Sequence, residues 1–312
     1  MHTGHPLFTV MTPTFNRAHT LRRVYDSLRA QTCGDFEWLV VDDGSTDDTR
    51  GLIESLRAQA DFPVRYVWQL NQHKKAAFNH GVREAAGELI VALDSDDTLE
   101  PSALAGMAAV WHGIDARDRH RYVAVTGLCV RPGGRVVGDR FPRDVMDATP
   151  LDMWFRYRVR GEKFGCLSSD VLRRFPFPQD VPGFVPESLV WRAMGRAGYL
   201  TRFVNQVFRV YHDSADALSH QGREGGRHAL GLWMLAQDTV VHCLPWFRYA
   251  PLEFFKAAAR YTRFSLHMRR NGQARPADRS LKGSGARLLV AAMWPAGLAL
   301  YLRDRFGSRA AG

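Results

Sequence analysis

The sequence of 312 residues is short of the features that mark several common protein classes. Its four cysteines, Cys33, Cys129, Cys166 and Cys243, are scattered, with no Cys-x-x-Cys pair and no metal-ligand spacing. That argues against a disulfide scaffold and fits a reduced, cytosolic setting. No Gly-x-Gly-x-x-Gly follows the first strand-like segment and no Gly-x-x-x-x-Gly-Lys-Ser/Thr occurs, so a Rossmann dehydrogenase or a P-loop enzyme is not expected. No apolar run reaches the roughly twenty residues a membrane crossing needs. The N-terminus enters strand-like sequence within a few residues, without a signal peptide. Internal repeats and low-complexity blocks are absent.

Acidic residues are scarce in one region only. Residues 1–220 hold 27 Lys/Arg and 27 Asp/Glu, whereas residues 221–312 hold 15 and 5, so the whole net charge of +10 lies in the tail. A basic tail on a neutral body points to an anionic partner, membrane lipid or nucleic acid. No recognition module accompanies the charge, so nucleic acid is not the expected partner. At 46% hydrophobic residues the chain buries a large core, in one large domain with an appendage or in two domains.

The first hundred residues alternate strand and helix. Residues 7–11, 36–41, 64–68 and 89–93 read as strands. Between them lie a helix carrying Leu21, Val24, Tyr25 and Leu28, a short one around Leu52, Ile53 and Leu56, and a third over 76–86 closed by Gly87. Pro101 is placed just inside a fourth, with Leu104, Met107, Ala108 and Trp111 on one face. This alternation predicts an α/β fold with a parallel, doubly wound sheet. Later strands are expected at 122–130, 135–137 and 203–211, a helix at 189–197, and helices from about residue 231 onward.

What is present is most telling at residues 89–97. The apolar run Leu89-Ile90-Val91-Ala92-Leu93 ends in Asp94-Ser95-Asp96-Asp97. A buried parallel strand delivers these carboxylates to the sheet edge where open α/β proteins place ligands. Their mutual repulsion calls for compensation, and a divalent cation carrying a diphosphate supplies it through Asp94 and Asp96. The plainer reading is a solvated acidic turn capping the next helix, a role to which Asp97 is suited. Two further polar turns end on the same edge: Pro13-Thr14-Phe15-Asn16-Arg17 and Asp42-Asp43-Gly44-Ser45. In the second, Gly44 permits a tight turn and Ser45 or Thr46 can cap a helix.

These motifs occur in a fixed order, with Asp42 to Thr49, then Asn79-His80-Gly81 and Ala85-Ala86-Gly87-Glu88, before Asp94-Ser95-Asp96-Asp97. Together they resemble glycosyltransferase family 2, inverting enzymes of the GT-A fold. The resemblance is close over roughly residues 6–115 and looser over 120–215. It implies a Rossmann-like, mostly parallel sheet flanked by helices, here with a C-terminal helical extension. It implies donor contacts to a nucleotide-sugar, most simply a UDP-sugar, from Pro13, Thr14, Asn16 and Arg17. Asp43, with Asp42 beside it, would accept a hydrogen bond from the base. Asp94-Ser95-Asp96 would be the Asp-x-Asp element holding Mn²⁺ or Mg²⁺, with Asp96 on the metal and Asp94 on the metal or ribose. Lys74 or Lys75 would stand near the diphosphate. His212, after the last strand, would reach the metal or diphosphate, although a satisfied turn histidine is the plainer reading.

Inverting transfer also needs a carboxylate to take the acceptor hydroxyl's proton, opposite the departing diphosphate. Glu187, at a loop-to-helix junction after Pro186, is the expected base and Asp180 the runner-up. Ser188 stands where the family usually has a second acid. A helix N-terminal carboxylate favoured by the dipole is the bland account of Glu187. The segment from Phe164 to Asp170 is expected to floor the acceptor side and cap a short helix.

The domains are expected at 1–220, divided into a nucleotide-sugar half (1–115) and an acceptor half (116–220), and at 221–312. In the tail, the fifteen-residue apolar run 288–302 is broken by Pro295 and Gly297, and Trp246, Phe247, Tyr249, Phe254, Phe255, Tyr261 and Phe264 alternate with basic residues. This suits a peripheral contact of 240–305 with an anionic membrane surface, or a helical cap on the catalytic domain. The expectation is a metal-dependent inverting glycosyltransferase acting on a saccharide or lipid-linked saccharide acceptor at the cytoplasmic face. A sugar nucleotidyltransferase and a non-catalytic basic binding protein are the alternatives.

Overall fold

A computed structural model describes residues 5–212, 226, 228–276 and 278–307. The chain divides into two compact units: Met1–Pro150, Val159–Phe177 and Met194–Ser214 form the first, and Leu151–Arg158, Pro178–Ala193 and Ala215–Gly312 the second. The expected boundary at 220/221 falls outside the described residues.

The first unit is built on a nine-stranded sheet. Its motif-bearing half is the parallel part: β3 (Val64–Trp68), β2 (Phe36–Asp42), β1 (Phe8–Thr14) and β4 (Leu89–Ala92) lie side by side in that order. All seven residues of β2 are buried, as a parallel strand covered on both faces requires. Helices α1 (Ala18–Arg29), α2 (Thr49–Gln59), α3 (Lys74–Glu84) and α4 (Ala103–His112) alternate with these strands. Leu21, Val24, Tyr25 and Leu28 turn inward on α1, as their spacing predicts. The core gathers Phe8, Val10, Tyr25, Trp38, Val91 and Phe208.

Beyond β4 the sheet becomes mixed. β8 (Lys163–Ser168) pairs antiparallel with β4 and with β6 (Tyr122–Val130). β9 (Leu200–Val210) runs parallel to β6 and antiparallel to β5 (Thr98–Leu99) and to β7 (Val145–Ala148). The expected strand at 135–137 is only an isolated bridge, Val136 to Val130, beside the turn that Gly134 closes on Arg131. The extra strand is β7 instead, only four residues long, with Val145 exposed. Ser168 caps α5 (Ser169–Arg174) by accepting from the Val171 amide, as expected of this segment.

Three local expectations change. Gly87 does not close α3, which ends at Glu84; its amide bonds to Thr9 Oγ1 at 2.9 Å, and a side chain there would run into the backbone of β1. Pro101 lies just before α4 rather than inside it. Neither Ser45 nor Thr46 caps α2; the first amide and hydroxyl of that helix, on Thr49, bond to Asp47, at 3.2 and 2.6 Å.

The second unit is helical. α6 (Ser188–Arg196) begins in it, and α7 (Ala229–His242), α8 (Pro251–Arg270), α9 (Ser284–Ala292) and α10 (Trp294–Gly307) make up its bulk. Their core holds Phe155, Trp233, Phe254, Tyr261 and Phe264. Buried Arg192 is neutralised there by Asp238 at 3.6 Å and bonds to Thr239 Oγ1 at 2.8 Å. Of the aromatics expected to lie on a membrane, Phe254, Tyr261 and Phe264 are buried and Trp246 donates to Asp152, whereas Phe255 is exposed. They alternate with basic residues because an α-helix buries one stripe and solvates the other.

Candidate active site

The carboxyl ends of β1, β2 and β4 meet on one edge because the three strands are parallel and in register. Thr14 is opposite Asp42, the Asp43 amide donates to the Thr14 carbonyl (2.9 Å), and the Leu93 amide donates to Met11 (2.9 Å). The three polar turns predicted to converge do so.

Within this edge the residues divide into builders and reachable groups. Asp42 is a builder: it is buried, with one oxygen accepting from the Ser45 amide (2.8 Å) and the other from the Tyr66 hydroxyl (2.6 Å). Burial and this contact with Asp42 push the Tyr66 phenol well above its ordinary pKa. Asn16 is another builder. It adopts a left-handed backbone (φ 53°), donates its amide to Ser45 Oγ, and accepts at Oδ1 from the Thr46 amide at 2.7 Å. Short polar Asn suits that conformation and that bonding pattern. Both residues were expected on the nucleotide; in the structure Asn16 joins the first turn to the second, and Asp42 ties its own turn to β3.

Asp43 presents a different arrangement. Its Oδ1 accepts from Gln69 Nε2 (2.7 Å) and the Gln72 amide (2.9 Å), while Oδ2 has no partner among the described residues. Gln69 is itself held by His80 at 2.8 Å. The buried Thr14 Oγ1 likewise lacks a hydrogen-bond partner among the described residues. An open carboxylate oxygen on Asp43 and a buried hydroxyl on Thr14, at one edge, suit a ligand that supplies their partners.

The acidic turn after β4 is bound by cations. Lys74, the first residue of α3, places Nζ 2.6 Å from Asp94 Oδ1. Arg17 Nη1 lies 3.6 Å from Asp96 Oδ2, and Arg23 donates to the Asp96 carbonyl. Burial raises the Asp94 pKa, but the charges of Lys74, Arg209 and Arg17 outweigh it and hold the carboxyl below its ordinary value. The side chains of Asp94 and Asp96 remain 39% and 17% exposed, so both are reachable. Lys75 follows Lys74 in the first turn of α3, half-buried.

Asp97 is not a helix cap. It is buried, with Arg209 Nη1 3.2 Å from Oδ2 and the His212 amide donating to Oδ1 at 2.9 Å. Burial moves its carboxyl up to about 7, against the pull of Arg209 and with the push of Asp94 and Asp96. Arg209 was missed from the sequence; its signal was a lone guanidinium inside the apolar strand Phe203 to Val210. His212 Nε2 bonds to Thr98 Oγ1 at 3.1 Å, and burial and Arg23 lower its pKa, partly offset by Asp96. The histidine is therefore a satisfied turn residue in the field of the acidic turn.

Among the described residues no three His, Cys, Asp or Glu side chains form a metal cage. An ion of the Mg²⁺ or Mn²⁺ type needs only one or two protein carboxylates when a diphosphate completes its shell. The neighbouring, accessible oxygens of Asp94 and Asp96 fit that requirement.

In the second unit, Glu187 is exposed and stands just ahead of α6, its carbonyl accepting from Val190 (2.9 Å) and Trp191 (3.3 Å). The loop-to-helix junction is as expected. Asp180 is exposed on the preceding loop.

A parallel α/β edge ending in three polar turns, on a sheet that turns mixed beyond β4, is the GT-A architecture that the solved structures below share. The comparisons make it particular: residues 9–134 match the family described as "Glycosyl transferase family 2". The GalNAc(5)-diNAcBac-PP-undecaprenol β-1,3-glucosyltransferase of Campylobacter jejuni is 36% identical over 213 residues, covering 66% of this chain and 64% of that protein. An uncharacterised glycosyltransferase of Nostoc is 38% identical over 107 residues, covering 34% of this chain and 33% of that one. The chain thus spans from a third to just under two thirds of these relatives' lengths. Two solved structures share the fold. Staphylococcus aureus TarS with UDP-GlcNAc has a TM-score of 0.55 at 19% identity, covering 95% and 81% of the two chains. The mannosyltransferase PcManGT of Pyrobaculum calidifontis, with GDP-Man and Mn²⁺, has a TM-score of 0.53 at 21% identity, covering 98% and 84%.

Proposed function

We propose that this enzyme transfers a glycosyl group, with inversion, from a UDP-sugar to a saccharide acceptor carried on a lipid. The observation that carries the donor half is the pairing of an open acceptor, Asp43 Oδ2, with a cation-bound Asp94/Asp96 turn on one sheet edge. The first suits the N–H of a base and the second a diphosphate. The lipid-linked acceptor is supported by the name of the Campylobacter relative.

In this reading Asp43 accepts a hydrogen bond from the base, and Thr14 contacts the nucleoside. Arg17 and Lys74 face the diphosphate, already oriented by Asp96 and Asp94. Glu187 takes the proton of the acceptor hydroxyl as that oxygen bonds to the anomeric carbon. The bond from that carbon to the diphosphate oxygen breaks, and its electron pair leaves on the nucleotide. A divalent cation held by Asp94 and Asp96 supplies charge neutralisation for the leaving group.

The test is UDP release from the purified chain with UDP-, GDP- and dTDP-sugars, in Mn²⁺, Mg²⁺ or EDTA. The expected result is turnover with a UDP-sugar that EDTA abolishes and that Asp96→Ala and Glu187→Gln each reduce by ~10²-fold or more. Turnover with GDP-sugars alone, or indifference to EDTA, overturns the donor or the metal assignment respectively.

A further inference from the structure

The bent helix pair at the end of the second unit has one face that its own unit does not cover. α9 and α10 meet at a bend of 52°, and no single helix among the described residues is long and apolar enough to cross a membrane. α10 packs on α8 through a single stripe. Gly297 sits against Thr262, Tyr301 stacks edge-on with His267 (4.8 Å between rings), and Asp304 binds Arg263 Nη2 at 2.8 Å and His267 at 3.0 Å. Positions 297, 301 and 304 mark one side of a helix, so 295, 299, 302 and 306 mark the other. That other side is Pro295, Ala299, Leu302 and Phe306, all exposed.

Large apolar side chains are exposed on both helices. Trp294 is 50% exposed, Leu288 on α9 71%, Leu302 39% and Phe306 55%. Single exposed apolar residues are unremarkable, but four large ones on two consecutive helices mark an interaction surface. Its charge identifies the partner. Arg287, Arg303 and Arg305 are exposed on its flanks, and Asp304, the one acidic residue from 284 to 306, is turned inward against Arg263. An apolar face rimmed by arginines and free of exposed acid complements an anionic lipid surface. A bend also suits helices lying in the interface plane, where neither has to span the hydrocarbon.

We infer that α9 and α10 dock this face into the headgroup region of an anionic bilayer, with Leu288, Trp294, Leu302 and Phe306 inserted and the three arginines on lipid phosphates. This deepens the lipid-linked acceptor reading, and it is measured independently of donor and acceptor.

The experiment is co-sedimentation of the full chain with phosphatidylcholine vesicles and with phosphatidylcholine/phosphatidylglycerol vesicles, at low and high salt. Partition into the anionic vesicles is expected, weakened by salt. The pair Leu302→Glu/Phe306→Glu should lower it by about tenfold or more. The triple Arg287→Gln/Arg303→Gln/Arg305→Gln should lower it and remove most of the salt dependence. Circular dichroism shows whether each variant folds; the arginine variant leaves the apolar packing untouched and decides the matter if the glutamate pair unfolds. UDP release without vesicles should be unchanged in both. No partition by the wild type, or equal partition by folded variants, overturns the inference. So does a wild-type dimer in light scattering that the glutamate pair converts to monomer without any vesicle binding, since the face then serves a second copy of the chain.

Discussion

Lys74 Nζ lies 2.6 Å from Asp94 Oδ1, so the acidic turn carries its own counter-charge from the first residue of a neighbouring helix. Charge-assisted bonds of this length are strong and directional. The ammonium holds the carboxylate ionised, and in the proposed reading it is the charge that meets the diphosphate.

Replacing Lys74 with Met is expected to raise the KM for the UDP-sugar by roughly 10- to 100-fold, the range of one lost charged hydrogen bond. A donor titration of UDP release checks it. An unchanged KM would mean that Lys74 serves only to settle Asp94.

Arg209→Met removes the guanidinium beside buried Asp97 and strands that carboxylate. The expected cost is about 3–5 kcal/mol of stability, read by urea denaturation. Combining it with Asp97→Asn should restore part of the loss, because the double variant leaves no buried charge unpaired.

A third expectation concerns acid. Asp147 is bound by Arg202 through two bonds of 2.9 Å and by the Tyr122 hydroxyl at 2.9 Å. Burial raises its pKa, but the bonds to Arg202 and Tyr122 prevail and leave it below the ordinary carboxyl value. A lowered folded-state pKa stabilises above the unfolded value, and that stabilisation disappears as pH falls through the folded one. Asp147→Asn should therefore cost about 1 kcal/mol at neutral pH. The gap between variant and wild type should close progressively in acid; a gap constant with pH would show that the charge is not what matters.

The parallel half of the sheet was legible because its signals are local. Apolar runs such as Leu89 to Leu93 announce buried strands, and Leu21, Val24, Tyr25 and Leu28 announce a helix by spacing alone. The convergence of Thr14, Asp43 and Asp94 followed from parallel strand direction. The second half was less readable because its pairings join distant segments. Four-residue β7, with Val145 exposed, is too short to show a period, and the Pro132-Gly133-Gly134 turn does reverse the chain but its second arm is held by a single bridge. The internal partners of the site residues were not legible either. Asp42 and Asn16 have the residue types of ligand contacts, but only the bonds to Tyr66, Ser45 and Thr46 reveal what occupies them.

The clasp between Asp97 and Arg209 has a consequence for how the chain comes to exist. Every motif that names the donor edge is synthesised by residue 97, yet the guanidinium that compensates the buried carboxylate emerges 112 residues later, on the strand that closes the sheet. A nascent chain carrying all the donor motifs is electrostatically incomplete until β9 is laid down. The recognisable half of this chain is therefore not a module that can be cut out and expected to stand alone.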